Sequence, residues 1–213
     1  MAVKTVFFDV GETLVDETRH WFSWADWLGI PRLTFGCVLG AIIARGEHHR
    51  RVFEVLVPGF DFEQAVRARG DAGDHYKIEP QDFYSDALPT LHALKKAGYS
   101  IGIAGNQPKE TETALKVCGV PADYIASSAT WAVEKPSPEF FAKIANVTGL
   151  APSEIAYVGD RLDNDVLPAQ KAGMYAVFLV RGPWGFLHAR TPEATLASAK
   201  ITCLTELPLV LNA

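Results

Sequence analysis

Four short stretches of this 213-residue chain carry residues that could do chemistry together. In "VFFDVGETL" three apolar residues run into Asp9, and "YSIGIAGN" ends on Gly105 and the amide Asn106. "VEKPSPEFF" carries Lys135, and "YVGDRLDNDV" carries Asp160, Asp163 and Asp165. Asp9, Asp160 and Asp165 offer hard oxygen ligands, and magnesium is typically held by one or two carboxylates with waters and substrate phosphate. Helix starts add N–H donors for a phosphate. Lys135 would offset the charge of carboxylate and phosphate together. A carboxylate could also attack phosphorus and form an aspartyl-phosphate. Taken singly, Asp9 reads as a turn former or helix cap, "GDRLDND" as an exposed acidic turn and Lys135 as a solvated lysine.

The elements that would carry these residues decide between the two readings. Residues 3–8 are rich in Val and Phe and end in Asp and Gly, which predicts a strand. From residue 86 the pattern alternates. "DALPTLHALKKAG", "KETETALKVCG", "PSPEFFAKIANVTG" and "DNDVLPAQKAG" read as helices. "YSIGIAGN", "DYIAS", "EIAYVGD" and "MYAVFLV" read as strands between them. That alternation predicts a parallel sheet covered on both faces. Residues 16–82 differ. "TRHWFSWADWLGI", "LTFGCVLGAIIARGEHHRRVFEVLV" and "DFEQAVRARGDA" all have helical spacing, and no strand is expected among them. An all-helical insert thus leaves and re-enters one α/β core. In open parallel sheets ligands bind beyond the carboxyl ends of the strands. Asp9, Gly105-Asn106 and Asp160 all fall there, with Lys135 in a loop beside them.

With these four stretches in this order, nearly the whole chain resembles the haloacid dehalogenase superfamily of hydrolases, most of them phosphatases. The resemblance implies a Rossmann-like α/β core over residues 1–15 and 83–213, with residues 16–82 as a helical cap. It implies Asp9 as nucleophile and Lys135 as the lysine that organises nucleophile and phosphate. Gly105 and Asn106 fall with Lys135 in the substrate-binding set. Mg2+ would be held by Asp9, Asp160 and the backbone carbonyl of Gly11, with Asp165 as a further metal-site acid. Two positions depart from the pattern. Phosphatases of this family resemble D-x-D-x-T at the first stretch, and the second Asp is their general acid and base; here it is Gly11. They carry Ser or Thr where this chain has Gly105. A carbonyl ligand survives at residue 11, but a proton donor does not, and general acid–base help is worth ~10²–10⁴ in rate. Glu12 is one residue off register for that task and reads as a polar loop residue. The expectation is a Mg2+-dependent phosphatase of small phosphate monoesters. A metal-independent dehalogenase and a phosphate-binding protein without catalysis are the alternatives. Retention of Gly159-Asp160 favours the metal-dependent reading.

The bulk composition agrees. With 48% hydrophobic and 21% charged residues the chain can build a core without disulfides. A net charge of −5 argues against nucleic acid or an anionic membrane as the main partner. Cys37, Cys118 and Cys203 are odd in number and far apart, which fits a reducing, cytoplasmic setting and three small buried apolar residues. The partner implied is a small phosphorylated substrate, for a monomer or homodimer. Trp21 and Trp24 read as cap core, His48–Arg51 as a solvated basic face, and "RGPWG" at 181–185 as a tight loop holding Trp184.

Overall fold

The computed structural model describes residues 2–74 and 76–211. Two compact units emerge: Met1–Asp16 with Ile78–Ala213, and Glu17–Lys77.

The first unit is built on strands β1 (Thr5–Phe8), β2 (Ser100–Gly105), β3 (Tyr124–Ser127), β4 (Ile155–Gly159), β5 (Tyr175–Leu179) and β6 (Ala199–Ile201). All pair in parallel, in the order β3-β2-β1-β4-β5-β6. Apolar residues cover both faces because the strands are buried on both sides. Val6, Phe8, Ile103, Val158, Val177 and Leu179 point to one core, with Leu91, Leu94 and Leu115. Their neighbours Phe7, Ala104, Tyr157 and Phe178 point to the other, with Phe140, Phe141 and Ile144. This two-residue alternation sets the register, since a slip of one would exchange the two cores. The first strand sits at the point where the strand order reverses, and Asp9 follows its last residue. Beta-6 is a sixth strand that the sequence pattern does not announce. It is three residues long and carries the exposed Lys200 at the sheet edge.

The second unit contains α1 (Thr18–Trp27), α2 (Arg32–Ala44), α3 (Arg51–Leu56) and α4 (Phe62–Asp71), with no strand among its described residues. The expected single helix from Leu33 to Val57 is broken. Gly46 takes φ 69 just after α2, and α3 starts afresh at Arg51. An aromatic cluster holds the unit: Trp24 lies 5.0 Å from Phe53 and 5.3 Å from Phe62 between ring centroids, and Phe35 lies 5.9 Å from Phe53. The buried Arg69 guanidinium lies 4.2 Å over Trp24 and donates to Asp74 O and Ser23 Oγ. Of the basic run, His49 packs edge-on against Trp21 and Arg50 lies over Phe62.

The sheet unit adds α5 (Ala87–Lys96), α6 (Glu110–Val117), α7 (Ser128–Trp131), α8 (Pro138–Thr148), α9 (Leu167–Lys171), α10 (Gly182–His188) and α11 (Leu207–Leu211). Ser137 caps α8 by accepting from Glu139 N, and Gly149 ends it in the left-handed conformation. Two expectations change here. "RGPWG" opens helix α10 instead of forming a tight loop, and Trp184 is buried with Arg161 5.0 Å over its ring. The cysteines are not a buried set: Cys37 is exposed, and Cys118 and Cys203 are half-buried. Burial depends on which helix face meets a neighbour, and a lone cysteine carries no such signal. Among the described residues no single helix is long and apolar enough to cross a membrane.

Candidate active site

The parallel sheet delivers Asp9, Gly105-Asn106 and Asp160 to one edge, as strand ends must. Asp9 leaves β1 with its N–H bonded to Val158 O at 2.9 Å. One carboxylate oxygen each from Asp9, Asp160 and Asp165 lies within 4.8 Å of the others. All three residues are buried, at 8%, 2% and 0% exposure. Lys135 Nζ lies between two of them, 2.7 Å from Asp9 Oδ1 and 2.5 Å from Asp165 Oδ1. The second Asp165 oxygen accepts Arg161 N–H at 3.0 Å, where the chain turns into the helical segment Leu162–Val166 ahead of α9. Asp163 turns away and pairs with Arg161 at 2.7 Å.

Two side chains hold Lys135 in place. Asn106 Nδ2 donates to Lys135 O at 2.9 Å, and Lys135 N donates to Asn106 Oδ1 at 2.8 Å. Both ends of the amide therefore bond the lysine's own backbone. Tyr157 places its ring 5.6 Å from Lys135 Nζ and donates its hydroxyl to Ala104 O at 2.8 Å. The sequence reading missed Tyr157. Its signal was a lone hydroxyl inside an otherwise aliphatic buried strand, which must find an acceptor.

The charges in this pocket are in tension. Burial, then Asp165, Asp9 and Glu12, drives the Asp160 carboxyl well above its usual range. Burial also raises Asp165, against the pull of Lys135. Burial alone would lower the Lys135 ammonium, but Asp165 and Asp9 hold it well above its ordinary value. Asp160 Oδ2 is buried without a hydrogen-bond partner. A hard cation would suit such a donor set: three carboxylates face one ammonium, and one carboxylate oxygen has no hydrogen-bond partner. Oxygen-only donors in this number suit magnesium.

The two departures noted in the sequence have a physical form. A Cβ at Gly105 would stand 2.4 Å from Asp9 Oδ1, so the Asp9 carboxylate occupies the space a side chain there would need. Gly11 lies in the turn after Asp9 and is bridged to Val15. Glu12 is no ordinary polar loop residue. It is 6% exposed, and its Oε2 accepts the Tyr84 hydroxyl at 2.5 Å.

The family model for haloacid dehalogenase-like hydrolases matches residues 3–173, and the chain belongs to that family of enzymes. Among curated relatives, the glyceraldehyde 3-phosphate phosphatase of Methanopyrus kandleri is 32% identical over 70% of this chain and 66% of its own length. The protein of the same name from Pyrococcus furiosus is 28% identical over 99% of this chain and 92% of its own. Among solved structures, a phosphatase of the same superfamily from Thermococcus onnurineus superposes with a TM-score of 0.63 at 24% identity, covering 98% of each chain, a likeness of fold.

Proposed function

We propose that this chain is a magnesium-dependent phosphatase of small phosphate monoesters that works through an aspartyl-phosphate on Asp9. The observation that carries the reading is the buried Asp9–Asp160–Asp165 cluster with Lys135 bonded to two of its members. Asp9, Asp160 and the Gly11 carbonyl would hold Mg2+, with Asp165 beside them; when bound, the ion would neutralise charge on the phosphoryl oxygens. An Asp9 oxygen forms a bond to phosphorus, and the bond from phosphorus to the ester oxygen breaks. Water then attacks the acyl phosphate and releases inorganic phosphate and the Asp9 carboxylate. Lys135 holds Asp9 and can reach a phosphoryl oxygen, and Asn106 fixes Lys135. Gly105 gives the incoming phosphoryl group no hydroxyl. In this reading residues 17–77 are the cap that selects the substrate. The names of the two archaeal relatives make a three-carbon phosphate the first natural ester to assay.

No side chain at residue 11 can protonate the leaving oxygen, and Glu12 spends Oε2 on Tyr84. The enzyme should therefore cleave activated aryl phosphates far faster than alkyl phosphates, because a phenoxide departs without a proton. Gly11→Asp should raise alkyl phosphate hydrolysis selectively, within the ~10²–10⁴ of general acid catalysis. Asp9→Asn should abolish both activities. Steady-state rates on a series of esters ordered by leaving-group pKa, with haloacids included, provide the test. Equal rates on aryl and alkyl esters would mean that another group supplies the proton. Binding of Mg2+ and phosphate without turnover of any ester would leave a binding protein. Haloacid turnover without metal would establish the dehalogenase alternative.

A further inference from the structure

The turn after Asp9 is clasped from outside the carboxylate cluster. Glu12 adopts φ 50, a left-handed conformation that a non-glycine residue keeps only when its surroundings enforce it. The enforcement is visible. Tyr84 donates its hydroxyl to Glu12 Oε2 at 2.5 Å. Gly182 lies so close that a Cβ there would stand 2.6 Å from the same oxygen and 2.7 Å from Glu12 Cβ and Cγ. Glu12 N donates to Val15 O at 2.7 Å. One residue on, Arg181 donates through NH1 to Thr13 O at 2.9 Å, while its guanidinium lies 4.1 Å over the Tyr84 ring. The same guanidinium meets Asp86 Oδ2 at 2.5 Å, and that oxygen also accepts Leu204 N–H at 2.9 Å. Arg181 and Tyr84 thus tie the residues that follow Gly11 to the end of β5, to the start of α5 and to the C-terminal segment.

We propose that Tyr84 and Arg181 are positioning residues of the reaction, which fix the chain through Gly11 by holding Glu12 and Thr13 and so set the carbonyl assigned to the metal. The inference rests on the magnesium reading above. Neither residue lies in the four stretches that carry the resemblance, "FFDVGETL", "LKKAGYSIGIAGN", "EKPSPEFF" and "YVGDRLDNDVLPAQKAGM". Groups that orient first ligands commonly alter metal affinity by ~10–100-fold when removed. A side chain that merely stabilises the fold would not change that affinity at all.

The experiment is calorimetric titration of Mg2+ alone into wild type, Tyr84→Phe, Arg181→Lys and Leu94→Ala. Tyr84→Phe keeps the ring under Arg181 and deletes only the hydroxyl; Arg181→Lys keeps the charge and serves should the first variant fail to fold. Leu94→Ala empties a buried core position among the aliphatic residues packed on β1 and β2, and controls for general loss of stability. The expected result is a Kd for Mg2+ weakened ~10-fold or more in Tyr84→Phe and Arg181→Lys, and unchanged in Leu94→Ala at an equal or larger loss of thermal midpoint. Wild-type affinity in both site variants would overturn the inference alone. So would equal weakening in Leu94→Ala. A wild type that binds no Mg2+ would overturn the metal reading and this inference with it.

Discussion

Gly105 stands against the carboxylate of Asp9, and Gly105→Ala tests the pose of that proposed nucleophile. The added Cβ would stand 2.4 Å from Asp9 Oδ1 but 3.6 Å from Gln107 Cγ and Val10 Cγ2, so the only severe conflict is with the carboxylate. Reaching an ordinary contact requires Asp9 to retreat by about 1 Å. Where that retreat leads away from Lys135 Nζ, now 2.7 Å distant, the contact leaves hydrogen-bond range. Losing a charge-assisted hydrogen bond costs ~1.5–3 kcal/mol. Removing glycine's freedom from the unfolded chain returns ~0.4–1 kcal/mol. A net loss of about 1–2 kcal/mol follows, or a fall of a few degrees in thermal midpoint for a chain of this size. The effect on turnover should be much larger, because a displacement of about 1 Å at a reacting atom can cost ~10²-fold. Differential scanning fluorimetry and hydrolysis of an activated aryl phosphate measure the two effects on the same samples. Gly105→Ser should recover part of the rate, since its hydroxyl can bond the displaced carboxylate or the phosphoryl group. If Gly105→Ala keeps wild-type turnover and midpoint, Asp9 does not rest against β2 and Lys135 as described.

Two further outcomes concern charge. Lys135→Met leaves Asp9 and Asp165 buried without their shared ammonium, and should cost ~3–5 kcal/mol near pH 8. Burial already raises Asp165 to about 6. A carboxyl raised in the folded state makes stability fall as pH rises through that range, so the penalty should shrink at pH 5.5; denaturant titrations showing the same penalty at both pH values would contradict it. In the helical unit, burial and then Arg69, Arg19 and Arg50 lower His20 from 6.5 to about 4, and its Nδ1 has no hydrogen-bond partner. A lowered base binds fewer protons folded than unfolded, so stability should drop by on the order of 3 kcal/mol as pH falls from 6.5 to 4. His20→Phe, which can keep the edge-on contacts with Trp21 and Tyr76, should lack that dependence in urea titrations at pH 7.5 and 4.5.

The central strands were legible because a strand buried on both faces is apolar at nearly every position, and few other segments are. Beta-6 escaped because an edge strand of three residues with Lys200 in the middle carries no such run. The break between α2 and α3 escaped because a glycine at positive φ looks the same in sequence as a glycine tolerated within a helix. In the candidate site, the convergence of Asp9, Lys135, Asp160 and Asp165 was readable from strand ends and the order of motifs. Glu12 was not. Its burial follows from a left-handed turn and from the missing Cβ of Gly182, 170 positions later in the chain, and neither condition leaves a local trace. Arg181 and Tyr84 were hidden for the same reason, since the Thr13 carbonyl and the Glu12 carboxylate that they hold reach them only in the folded chain.

The energetics of the cluster favour a ligand over a structural role. Three carboxylates buried together with one ammonium are a poor way to stabilise a sheet edge, since apolar residues of similar volume commonly do as well or better. The orphaned Asp160 oxygen alone costs ~1–3 kcal/mol. A cation that binds only the folded chain adds about 2.7 kcal/mol of stability at one hundred times its Kd. A cation held there at that concentration would offset a cost of this size. Metal-free protein should then be less stable than its Mg2+ complex by about that amount, and Asp160→Asn should remove most of the difference. An equal rise in thermal midpoint with Mg2+ in wild type and Asp160→Asn would mean that the ion acts elsewhere on the protein.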